Sequence, residues 1–163
     1  MTQALKSFND ALAIMERLAQ ADPNNAGWQR ELTVSYNKVG DVLVAQGNLT
    51  QALKSFRDGL TIMERLAQAD PNNAGWQRDL TVSYNKVGDV LAAQGNLTQA
   101  LKSFSDVLAI RDRLAKADPN NAGWQRDLGA FKVAAVRSVT PKATSMASRI
   151  APMLTARCCS SCE

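Results

Sequence analysis

An all-α array of stacked antiparallel helical hairpins is the fold class this sequence predicts, on three observations. The 163-residue chain repeats itself almost verbatim every 48 residues: Trp28, Trp76 and Trp124 each stand in the phrase Asp-Pro-Asn-Asn-Ala-Gly-Trp-Gln-Arg. Apolar residues within each unit recur at helical spacing. Gly and Pro punctuate the units at fixed places. A period between about 20 and 50 residues marks an array in which no unit buries its apolar face alone and each leans on its neighbours.

Within the unit 49–96, Trp76, Leu80, Tyr84, Val87 and Leu91 follow one another at steps of 4, 4, 3 and 4, the stripe of an amphipathic helix. Gln94-Gly95-Asn96 ends it, with Gly95 suited to the left-handed position after a helix. A second stripe runs through Ala100, Phe104, Leu108 and Leu114 to Ala117-Asp118-Pro119. Pro119 cannot continue a helix and pushes Asp118 out of the helical region. Each unit is therefore a hairpin of two helices of about 20 residues, about 30 Å long at 1.5 Å per residue. Residues 2–21 read as a second helix without its own first helix, and a further partial first helix begins near Ala122. The array is expected to span 1–128. Past Leu128 the repeat stops, and 129–163 reads as a divergent basic tail with one more helix up to about Val139 and weak order beyond. From the phase of the repeats, an excised or truncated piece of a larger array is expected.

No run of 18 apolar residues exists, and the N-terminus lacks a basic region followed by an apolar stretch, so a cytoplasmic protein with no membrane partner is expected. The formal charge of +4 resides in the tail: residues 1–128 hold 14 basic and 14 acidic side chains. A nucleic-acid-binding array needs basic residues in every repeat, because neutralising phosphate is the main source of its affinity. No specific nucleic-acid partner is expected.

The pattern Tyr36-x2-Val39-Gly40-x2-Leu43, then Gly47, Leu49 and Ala52-x3-Phe56, repeated at Tyr84 to Phe104, resembles the tetratricopeptide repeat over residues 2–128. The resemblance implies a right-handed superhelical solenoid whose first helices line a concave, non-catalytic binding surface for a protein or peptide. Gly40 and Ala52 would let the two helices of a hairpin approach closely. The departure is length: the usual repeat has about 34 residues, and the extra 14 divide between the two helices at about two turns each. In this the chain is similar to the long-helix repeats of kinesin light chains and related bacterial arrays.

Catalysis has little to stand on. The absence of His removes Ser-His and Cys-His pairs, and no Gly-rich phosphate loop or Gly-x-Ser-x-Gly elbow occurs. Asp41, Asp58 and Glu64, interspersed with Lys and Arg, read as a solvated helix face. No cofactor or metal is expected. Asp70-x-Asn72-x-x-Gly75 begins like a calcium loop, but Thr81 stands where a bidentate Glu belongs. Asn48-Leu49-Thr50 reads as a helix N-cap, not a glycosylation site. Cys158, Cys159 and Cys162 are one thiol short of a tetrahedral zinc set. The tryptophans read as core.

In the resembled family, Asn residues of the first helices hold the backbone of an extended peptide. The matching positions are Asn37 and Asn85, with Asp41 and Asp89 one turn on and Val34 and Val82 one turn back. An amide donates and accepts, so such a ladder reads a backbone irrespective of its sequence. The alternative is an exposed polar residue without a role. A second function, self-association through the apolar edges at the ends of the array, fits the same repeats.

Overall fold

The computed structural model describes residues 3–129. They form five full helices and a shorter helical segment at 122–129, with no strand among the described residues. The helices are α1 (Gln3–Ala21), α2 (Ala26–Ala45), α3 (Leu49–Ala69), α4 (Ala74–Ala93) and α5 (Leu97–Ala117). Each packs against the next in chain order, and α2 also touches α4. The first helices of successive repeats are thus neighbours, as in an α-solenoid. Two compact units are distinguished, Met1–Asp118 and Pro119–Glu163. The expected tail helix and the cysteines lie outside the described residues.

Local chemistry sets the helix ends. Asn25 and Asn73 cap α2 and α4, their side-chain oxygens accepting from the Trp28 and Trp76 amides at 3.1 Å; Asn121 accepts likewise from Trp124 at 3.2 Å. Asn48 caps α3, as its sequence context implies. These oxygens satisfy amides that have no partner within the helix. At the far end, Gly47 and Gly95 take φ of 75° and 82°. In the turn at Gly47, Asn48 N donates to Leu43 O and Gly47 N to Val44 O, both at 2.9 Å; Gly95 and Asn96 repeat this pair. The left-handed glycine lets the chain double back within three residues.

The core is a seam between helices. Ala52, Phe56 and Met63 of α3 are 0, 1 and 0% exposed, enclosed by Val39 and Leu43 of α2 and by Leu80, Val87 and Leu91 of α4. Burying a side chain of this size stabilises by about 1.5–3 kcal/mol. Gly40 is where the hairpin closes: a Cβ there would fall within 2.7 Å of Cδ1 of the Phe56 ring. Gly88 and Phe104 repeat the contact in the next hairpin. Trp76 lies partly buried against this core.

Candidate functional site

The stripe on α2 made by Arg30, Val34, Asn37 and Asp41 follows spacings of 4, 3 and 4, which place all four on one flank. That flank faces α4. Arg30 Nε donates to Asp79 Oδ2 at 2.5 Å, and Lys86 Nζ meets Asp41 Oδ1 at 2.6 Å. Val34 and Asn37 sit between these two bridges and are half-buried. The Asn37 side-chain oxygen is fully buried and accepts no hydrogen bond.

The same stripe on α4 holds Val82, Asn85 and Asp89, while the α4 residues that bridge to α2 are Asp79 and Lys86, on the other side of Val82. Val82 is 43% exposed. Asn85 is half-buried and has no hydrogen-bond partner among the described residues, and Asp89 is exposed. Partial burial pushes the Asp89 carboxyl above the usual carboxylate range, with Lys86 opposing the shift.

Two of the six candidate residues come together. Asp41 and Asp89 line one small cavity of about 180 Å³ between α2, α3 and α4, with Lys86 between them and Phe56, Val44 and Val90 as apolar wall. Lys86 Nζ also lies 5.8 Å from the centre of the Phe56 ring, within reach of a cation–π attraction. Val34, Asn37, Val82 and Asn85 are not among the residues that line this cavity.

Several side chains acquire roles that the sequence reading did not give them. Gln29 and Gln77 are buried, at 5 and 3% exposure. Each donates its amide to the last turn of the preceding second helix, at Ala19 O (3.2 Å) and Ala67 O (3.1 Å). Each accepts from an arginine of the following one, Arg65 at 2.7 Å and Arg113. One glutamine per repeat thus ties three successive helices, and its only sequence signal is its place in the recurring Trp-Gln-Arg phrase.

The reading of Glu64 as a member of a solvated face needs correction, whereas Asp41 is exposed as that reading has it. Asp41 bridges two repeats. Glu64 is half-buried and accepts from the Tyr84 hydroxyl at 2.7 Å, as Glu16 does from Tyr36 at 2.8 Å. Burial first, then the hydrogen bond and charge of the glutamate, raise both phenols well above their ordinary pKa. The hydroxyls therefore remain donors at neutral pH. These pairs link residues 20 apart across helices, which helix periodicity cannot reveal.

The tetratricopeptide repeat model matches residues 32–72 and 80–120, each match covering most of a first helix and the whole of the second. The chain belongs to the tetratricopeptide repeat family. Repeats of this family ordinarily serve protein interaction and are not catalytic. No curated protein matches the chain. Among the described residues of this tetratricopeptide array, no helix is long and apolar enough to cross a membrane, and no group of three or more metal-binding side chains gathers.

Proposed function

We propose that the array is a scaffold that holds an extended peptide or protein segment along the concave face of its first helices, α2 and α4. The observation that carries this reading is a contrast between amides. Those of Gln29 and Gln77 are consumed in joining helices. Those of Asn37 and Asn85, 48 residues apart on successive first helices, form no hydrogen bond among the described residues, and the Asn37 oxygen is buried without a donor. A buried acceptor left unpaired costs about 1–3 kcal/mol, and the Asn85 amide, half-buried and unpaired, is the member of the pair open to a ligand. Asp41, Asp89, Val34 and Val82 would flank the bound backbone and choose among side chains.

The repeat array in this reading runs to residue 128, with 129–163 a separate basic tail. The partner is a protein and not nucleic acid, in keeping with the charge balance of 1–128, and the location is cytoplasmic. Peptides selected on the full chain from a random library provide the test. Replacing both asparagines by Ala should weaken a selected peptide about tenfold, two neutral hydrogen bonds being worth about 0.5–1.5 kcal/mol each. Selected peptides that bind the double variant unchanged would remove the ladder.

A second reading, self-association, is favoured by α1. Its Ala4 is exposed, and its Phe8 and Met15 are partly exposed, where the matching Ala52, Phe56 and Met63 of α3 are enclosed. A light-scattering mass that stays monomeric as concentration rises would reject it.

A further inference from the structure

We propose that a second copy of this chain covers the outer side of α1 and α2, face to face about a two-fold axis, with each of the two helices antiparallel to its own counterpart. The proposal rests on the self-association reading and gives it a geometry. The side in question is the one that α3 and α4 turn toward α1 and α2 inside the array. There Asp58 of α3 lines a groove shared with α1, and Arg65 donates to Gln29 of α2. Asp79 and Lys86 of α4 bridge to Arg30 and Asp41 of α2. One repeat earlier the same positions are Asp10, Arg17, Glu31 and Lys38, all exposed. No ion pair engages these four among the described residues. Apolar surface accompanies them: Ile14 is 50% exposed, and Phe8 and Met15 are partly exposed where Phe56 and Met63 are enclosed.

The charges choose the occupant. Asp10 precedes Arg17 by seven residues, and Glu31 precedes Lys38 by seven. Seven residues are about two helical turns, so acid and base lie on one line of each helix, about 10 Å apart. A helix with such a pair is complementary to an antiparallel copy of itself, each acid meeting a base and each base an acid. One axis serves both helices. The Gln29 side chain reaches Ala19 O, and from that contact the midpoints of the two charge pairs lie equally far back along α1 and forward along α2. A head-to-tail contact fails on sterics. The α4 of a second copy would offer Arg78 and Asp89 to Glu31 and Lys38, as Arg30 and Asp41 are offered to Asp79 and Lys86 inside the array. The α5 that follows it would then need the place α1 already fills. Two helices about 30 Å long and about 10 Å apart present about 600 Å² per copy, the lower end for a specific interface. A dissociation constant of about 10–100 μM is expected, so the chain is monomeric at the dilution of an unfolding measurement.

Sedimentation equilibrium of the full chain, from about 1 μM to about 1 mM so as to bracket that constant, is the test. Monomer should pass to dimer and no further. Glu31→Lys alone and Lys38→Glu alone should each weaken the dimer about tenfold, because the two-fold axis turns one reversal into two like-charge contacts. Both side chains are exposed, so folding should be unchanged. An equimolar mixture of the two variants should dimerise about as strongly as the parent, since a flank with two bases then meets a flank with two acids. A head-to-tail contact would show no such rescue. A chain that stays monomeric throughout would reject the self-association reading and this proposal with it. A dimer unaffected by the single reversals, a mixture that is not restored, or a mass that climbs beyond dimer would overturn the two-fold geometry and leave self-association standing.

Discussion

Helices α2 and α4 differ at only two of their 20 matched positions, Glu31 against Asp79 and Val44 against Ala92, yet they do not share a burial pattern. Ser83 is 1% exposed and Val90 3%, while their counterparts Ser35 and Val42 are only partly buried. Lys86 bridges to Asp41, whereas Lys38 stands exposed. On the opposite flank the order reverses: Val34 is half-buried and Val82 is 43% exposed. Each first helix has two flanks, and what covers each flank is a neighbouring helix. In a repeat array the same residue is thus core in one copy and surface in another, and stability belongs to interfaces between units as much as to the units.

The largest test of this contrast sets Phe56→Ala against Phe8→Ala. Phe56 is enclosed by helices on both sides and should lose about 3–5 kcal/mol. Phe8, partly exposed at the same place in α1, should lose well under half of that in urea unfolding. Equal losses would mean that the neighbour on the far side contributes nothing.

Next comes the close approach within hairpins. Gly40→Ala forces a Cβ against Phe56, which is 1% exposed and has nowhere to move, at a cost of about 1–3 kcal/mol from overpacking. Gly88→Ala meets Phe104, whose ring is only partly buried and can tilt away. Its denaturation midpoint should therefore fall less; a reversed order would break the assignment.

The tyrosine pairs give a pH test. Folding raises the Tyr36 and Tyr84 pKa above the unfolded value near 10, so the folded state holds its phenolic protons longer than the unfolded state does. The stabilisation from these groups is fully present below about pH 10 and is lost as pH rises beyond it. The double Tyr36→Phe/Tyr84→Phe variant should be less stable than the parent at neutral pH, by about 1 kcal/mol per lost hydrogen bond. The gap should narrow in alkali; a gap that widens would contradict the burial of the phenols.

The smallest effect concerns the lysines. Lys86→Ala should cost about 0.2–1 kcal/mol, since its side chain is 35% exposed and its partner's 51%, and the cost should shrink in high salt. Lys38→Ala should change nothing measurable. Identical losses at all ionic strengths would argue against the link between α2 and α4.

Much of the fold was legible in the chain because its signals are local. Asn73 before Trp76, Gly95 after Ala93 and Pro71 after Asp70 fix the ends of helices through caps and backbone restrictions that act within a few residues. The stripe from Trp76 to Leu91 gives the buried face by periodicity alone. The candidate site was legible only in part. Asp41 and Asp89 do meet around one cavity, but nothing local to Lys86 marks it as the link to Asp41, and nothing local to Asn37 foretold a buried oxygen.

The sequence by itself therefore determined the helices, their lengths, the hairpin closure at Gly40 and Gly88, and the family. The tertiary structure alone decided which copy of each repeated residue is covered, that Gln29 and Gln77 tie three helices, and that Tyr84 holds Glu64. The physical reason is that a periodic sequence gives equivalent residues almost the same local preferences in each unit. Their burial and their partners depend on which helices stand beside them, and that differs from one place in the array to the next.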